Sequence, residues 1–183
     1  MKLIESYLND LTKIIESLPA KTITAIIALL AEARDQRRRV FLMGNGGSAA
    51  TASHAVNDLT KLAQQEGKLR LKVTALTDNV PIMTAFANDV DYSRIFVEQL
   101  IALAEADDVL IGISGSGNSP NILKAMEWAK ENGLKTIALT GQGGGRLKYQ
   151  AELALVVPSD SMTHIEDIHL ILCHIISLGL RDA

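Results

Sequence analysis

Phe41-Leu42-Met43-Gly44-Asn45-Gly46-Gly47-Ser48-Ala49-Ala50 reads as the end of a strand, a tight turn and the start of a helix. Val40 to Met43 is an apolar run long enough for a buried strand. Gly44, Gly46 and Gly47 then let the backbone turn sharply and bring its N–H groups close to a ligand. From Ser48 onward Ala49, Ala52, Val56 and Leu59 recur at helical spacing, with Ser48 placed to cap the first turn. Unpaired N–H groups and the helix dipole converge at such a junction and make it an anion site. Further along, His54 and Asp58 stand at i and i+4 on one face, so ionisable chemistry follows the cradle.

The rest of the chain repeats this alternation. Leu71 to Leu76, Val109 to Ile113, Lys135 to Leu139 and Leu153 to Val157 read as further strands, apolar enough to lie in a parallel sheet. Between them lie a helix started by Pro81 and ending near Asn88-Asp89, and one capped by Asp91 that uses Ile95, Phe96, Leu100, Ile101 and Leu103. A third spans Asn121 to Asn132 and is closed by Gly133. A last helix runs from Thr163 almost to the end. Two more, Leu3 to Leu18 and Thr22 to Arg37, precede the first strand and must cover a sheet face or a partner subunit. The spacing predicts an α/β fold, a doubly wound five-stranded parallel sheet of flavodoxin-like form with two additional N-terminal helices, as a single domain over residues 1–183. Three strands end in glycine-rich loops, which converge on the carboxyl edge where such sheets bind ligands.

Composition narrows the class. Hydrophobic residues make up 48% of 183, against disorder, and no uninterrupted apolar run is long enough to span a bilayer. Acidic Glu5 comes too early for a signal peptide, and the single cysteine, Cys173, fits a reducing compartment; the expectation is a cytoplasmic protein. A net charge of −3 gives no reason to expect nucleic acid. Arg34, Arg37, Arg38 and Arg39 read as the solvated, dipole-complementing end of a helix.

Ser114-Gly115-Ser116-Gly117-Asn118-Ser119-Pro120 is the more telling loop. Hydroxyls alternate with small residues between a buried strand and a proline-started helix, an arrangement suited to a phosphate monoester. Ser119 alone would be explained as a helix cap; three serines are not. No P-loop pattern occurs, and the loose Gly44-x-Gly46-x-x-Ala49 match lacks an acidic partner at the expected distance, so no nucleotide cofactor is expected.

Gly44 to Ser48, His54 with Asp58, Asn88-Asp89, Ser114 to Ser119, and Ile165-Glu166-Asp167-Ile168-His169 with His174 together resemble the sugar isomerase (SIS) domain family, in its phosphoheptose isomerase branch. The resemblance implies interconversion of sedoheptulose 7-phosphate and D-glycero-D-manno-heptose 7-phosphate. It also implies substrate binding by Asn45, Gly46, Gly47 and the adjoining Ser48, by Asn88 and Asp89, by Ser114, Gly115, Ser116 and Ser119, and by Glu166. It places His54 and His174 in the active site, with a divalent metal (zinc in many members) and a homotetramer whose sites are shared between subunits. Gly115 stands where the family usually has threonine. Asp58 replaces the family's acid/base glutamate and Glu166 replaces its glutamine.

Aldose–ketose isomerisation through an enediol needs a base, an acid and stabilisation of a developing oxyanion. Glu166 and His174, at i and i+8, share a helix face, and His54 and Asp58 share another. If the faces meet, His54, Asp58, Glu166 and His174 form a metal site, with Asp58, His174 and Glu166 as the proton-transfer groups. Two alternatives stand beside this reading: an isomerase of a different sugar phosphate, and a non-catalytic module that senses a phosphosugar or binds a protein. His164, His169 and Cys173 read as structural.

Overall fold

The five strands are β1 (Arg39–Gly44), β2 (Lys72–Ala75), β3 (Val109–Ser114), β4 (Lys135–Thr140) and β5 (Leu153–Val156), seen in a computed structural model that covers Met1–Ala183. All pair in parallel, in the order β2-β1-β3-β4-β5. That order reverses between β1 and β3, so the crevice outside their carboxyl ends is the switch point. The glycine turn after β1 and the serine loop after β3 lie there.

Strand side chains alternate between two cores, as the two-residue period requires. Val40, Leu42, Ile111, Ile113, Ile137 and Leu139 face one core. It is covered by α2 (Ala20–Asp35), α3 (Gly47–Asn57) and α8 (Met162–Asp182). Phe41, Met43, Leu110 and Ala138 face the other, covered by α5 (Val97–Leu103), α6 (Pro120–Glu131) and α7 (Leu147–Gln150). α8 is long and apolar enough by length and composition to cross a membrane, but Ile165, Ile168, Leu172, Ile176 and Leu180 bury its apolar face in the first core.

Some expectations change. Arg34 does not solvate a helix end: its guanidinium is buried, donating to the Leu180 carbonyl at 3.1 Å and pairing with Asp35 at 2.9 Å. Arg37 lies past α2 with φ of 60°, and Arg38 pairs with Asp107. Ile101 and Leu103 are exposed although the helical pattern placed them inward.

α1 (Lys2–Glu16) and α4 (Val80–Asp89) are apolar but largely uncovered. α1 buries only Ile14 and leaves Leu3, Ile4, Leu8 and Ile15 exposed; α4 buries nothing. α1 is held to α8 by Tyr7, whose hydroxyl donates to Asp167 at 2.6 Å and whose ring lies 4.1 Å from that of His164.

Candidate active site

A cavity of ≈ 300 Å³ opens at the switch point. Asn45, Gly46, Gly47 and Ser48 form one wall, Ser114, Gly115, Ser116 and Ser119 a second, and Met162 with Glu166 a third. Gly46 caps α3 with φ of +55°, a conformation that glycine alone adopts without strain. Ser48 is therefore not the cap; it is buried inside the first turn.

In the serine loop, Ser119 occupies the N-cap position of α6 but makes no capping bond. Its Oγ faces Ser114 Oγ at 3.3 Å, and Ser116 Oγ accepts from the Asn118 N–H at 3.3 Å. Hydroxyls gathered at a helix N-terminus can hold a phosphate dianion. The third glycine loop, Gly141 to Gly145, converges on the same edge but does not line the cavity. It buttresses the serine loop from behind: the Gly141 N–H donates to Gly115 O at 3.1 Å and the Leu147 N–H to Gly117 O at 2.9 Å.

Glu166 is the one ionisable side chain in the cavity wall. Its carboxylate lies against the start of α3, where a β-carbon on Gly47 would stand 2.5 Å from Oε2. The close approach that the glycine turn permits is thus taken by Glu166, next to the positive end of a helix dipole.

His54, Asp58 and His174 meet on the neighbouring faces of α3 and α8. His54 Nε2 is 3.1 Å from His174 Nε2 and 3.1 Å from Asp58 Oδ2, which is 3.3 Å from His174 Nε2. α3 ends in a π-helical turn, Asp58–Leu62, that begins at this carboxylate. Asp58 Oδ1 accepts from Asn57 at 3.1 Å, whereas Oδ2 is buried with no aligned donor. Zinc–nitrogen bonds of about 2.0–2.1 Å give a tetrahedron with edges of about 3.3–3.4 Å, close to the spacing of these three atoms. The donor set therefore fits a divalent cation held by three protein ligands. Glu166 is not among them. It lies two turns of α8 from His174 and faces the cavity, so the structure brings together three of the four expected ligands.

Residues 6–141 match the SIS domain family. The phosphoheptose isomerase of Helicobacter pylori (strain P12) is 41% identical over 166 residues, 91% of this chain and 85% of that protein. The chain belongs to the phosphoheptose isomerase family. Among solved structures, phosphoheptose isomerase GmhA from Neisseria gonorrhoeae superposes with a TM-score of 0.92 at 28% identity, covering 100% of this chain and 98% of that one. A phosphoheptose isomerase from Francisella tularensis gives 0.89 at 32%, with the same coverage.

As a phosphoheptose isomerase family member the chain has two local peculiarities that the structure explains. A β-carbon on Gly115 would overlap the Met162 sulfur, so the thioether takes the space that a threonine at this position needs. Asn88 and Asp89 hydrogen-bond to each other at 2.7 Å at the exposed end of α4, outside the cavity of their own chain. Sequence reasoning missed Met162, Tyr92 and Asn121. Tyr92 donates to Asn45 Oδ1 at 3.0 Å, and Asn121, only 1% exposed, is paired to Asn45. A buried amide leaves no mark in a helix pattern; its position just after Pro120 at a loop–helix junction was the only signal.

Proposed function

We propose that the protein interconverts sedoheptulose 7-phosphate and D-glycero-D-manno-heptose 7-phosphate by proton transfer through an enediol. The observation that carries this reading is a hydroxyl-lined anion cradle at the strand edge, walled by the Glu166 carboxylate, with the His54, Asp58 and His174 cluster further along the same two helices. Ser114, Ser116 and Ser119 hold the phosphate, with the dipole of α6 behind them. The sugar lies along Asn45 to Ser48. Asp58 and His174 exchange the protons: one takes a proton from the carbon beside the carbonyl, the other delivers one to the carbonyl oxygen, and reversal at the neighbouring carbon completes the shift. Glu166 assists from the cavity wall. That proton exchange belongs to the metal-free site; were His54, Asp58 and His174 to hold zinc, the metal would polarise a carbonyl oxygen as a Lewis acid, and Glu166 would be the carboxylate left to move the proton.

The uncovered apolar faces of α1 and α4, and Asn88 and Asp89 standing outside their own chain's cavity, support a homotetramer with sites completed between subunits. A buried, lone cysteine whose thiol burial pushes up to about 12 supports a reducing, cytoplasmic setting. The whole chain acts in this reading as one SIS unit.

Turnover of a panel of ketose phosphates from five to seven carbons, followed by nuclear magnetic resonance, tests the assignment. Preferential conversion of the seven-carbon substrate supports it. Preference for a shorter chain reassigns the substrate, and absence of turnover across the panel overturns the isomerase reading.

A further inference from the structure

Asn45 stands in the cavity wall with its amide almost fully committed. Its Nδ2 donates to Asn121 Oδ1 at 2.9 Å, and its Oδ1 accepts from Asn121 Nδ2 at 2.8 Å and from the Tyr92 hydroxyl at 3.0 Å. A reciprocal amide pair of this kind has two equivalent orientations when isolated. Here a fourth bond decides between them. The backbone N–H of Ile122, at the start of α6, meets Asn121 at 3.0 Å, and a backbone N–H can only donate. The Asn121 atom facing Ile122 must therefore be its oxygen. The other end of the Asn121 amide is then its nitrogen, which must find the oxygen of Asn45. Both acceptor positions of Asn45 Oδ1 are filled by Asn121 and Tyr92, and one N–H of Nδ2 is spent on Asn121. A single N–H remains without a protein partner, on a side chain that lines the cavity.

We infer that Asn121 and Tyr92 are positioning residues that convert Asn45 into a fixed hydrogen-bond donor for the sugar oxygen that becomes negative in the enediolate. The inference rests on the isomerase reading above. A group that can donate but not accept suits an oxygen with no proton to give, as a carbonyl oxygen or enediolate has, and a donor held in place before reaction acts where charge develops. A mobile asparagine could turn its carbonyl toward that oxygen and repel it. The buried position of Asn121 prevents such rotation. The signal therefore runs from a helix N-terminus, through two amides, to the reacting centre.

The test is a kinetic cycle with Tyr92→Phe, Asn121→Ala, Asn45→Ala and the double variant Asn45→Ala/Asn121→Ala, with inorganic phosphate binding measured on each. Tyr92 is 57% exposed, so its loss of one hydroxyl leaves folding intact. Expected are a several-fold fall in kcat for Tyr92→Phe and at least a tenfold fall for Asn121→Ala, KM staying within about twofold. The double variant should be no slower than Asn45→Ala alone, because Asn121 acts only through Asn45. Unchanged phosphate affinity in these variants supports an intact cradle. A rise in KM with kcat preserved, or additive losses in the double variant, overturns the inference while leaving the isomerase reading standing. Absence of turnover in the unaltered protein overturns both.

Discussion

His54 and His174 present their Nε2 atoms to one another at 3.1 Å, from helices 120 residues apart in the chain, with Asp58 Oδ2 within 3.3 Å of both. Electron-rich atoms gathered this closely repel unless a cation or proton lies among them. Protein purified without chelator is expected to hold about one zinc ion per chain. Asp58→Asn and His174→Ala should lose it. Glu166→Gln should keep it, because Glu166 faces the cavity and not the triad. Metal analysis of the four proteins decides: a metal-free native protein, or loss of metal on Glu166→Gln, contradicts the three-ligand site.

The serine loop makes its own prediction. Ser116→Ala and Ser119→Ala each remove a hydroxyl from the anion cradle, and a hydrogen bond to a charged group contributes about 1.5–3 kcal/mol. The paired substitution should weaken phosphosugar binding by well over tenfold in calorimetry, with little change in thermal stability, since Ser119 makes no capping bond. Unaltered affinity would remove the phosphate from this loop.

Gly115 and Met162 should behave as a coupled pair. Gly115→Thr brings a β-carbon against the Met162 sulfur, at the far end of an exposed, flexible side chain that can swing aside, and is expected to destabilise the fold by about 1 kcal/mol or less. Shortening the neighbour, in Gly115→Thr/Met162→Ala, should recover most of that loss and place an additional hydroxyl at the phosphate. Denaturant titration of the single and double variants measures the coupling; additive effects would contradict it.

His169 sets a pH limit on the fold. Only 1% exposed, it has its imidazole pushed down to about 4 by burial, with the Thr140 carbonyl partly opposing the fall. Below the ordinary histidine value the unfolded chain takes up a proton that the folded chain refuses. This contribution is therefore fully present above about pH 6.5 and declines as pH falls toward 4, by on the order of 3 kcal/mol in all. Between pH 7 and 5 the melting temperature should drop, and His169→Leu should drop less. Parallel curves for the two proteins would exclude His169 as the cause.

Much of this was legible because local and global signals agreed. The strand–glycine–helix junction at Gly44 to Ser48 and the buried runs at β3 and β4 could only be a parallel sheet, and i,i+4 spacing alone put His54 over Asp58. What stayed hidden depends on contacts between distant segments. Helix spacing places Glu166 and His174 on one face of α8, but it cannot say that α3 meets that face at His174 for one and at Gly47 for the other. The burial of Arg34 under the end of α8 and the pairing of Asn121 with Asn45 likewise arise only when the layers close. Ser48 was misread because Gly46, a glycine with positive φ, took the capping position two residues earlier than expected.

Proton transfer through an enediol is the central claim, and solvent exchange reports it most directly. Sedoheptulose 7-phosphate incubated with the protein in deuterium oxide should yield aldose carrying deuterium on the carbon beside its carbonyl, and Asp58→Asn should suppress both product and label. Aldose formed without solvent label, or labelled aldose formed at an undiminished rate by Asp58→Asn, would contradict the account.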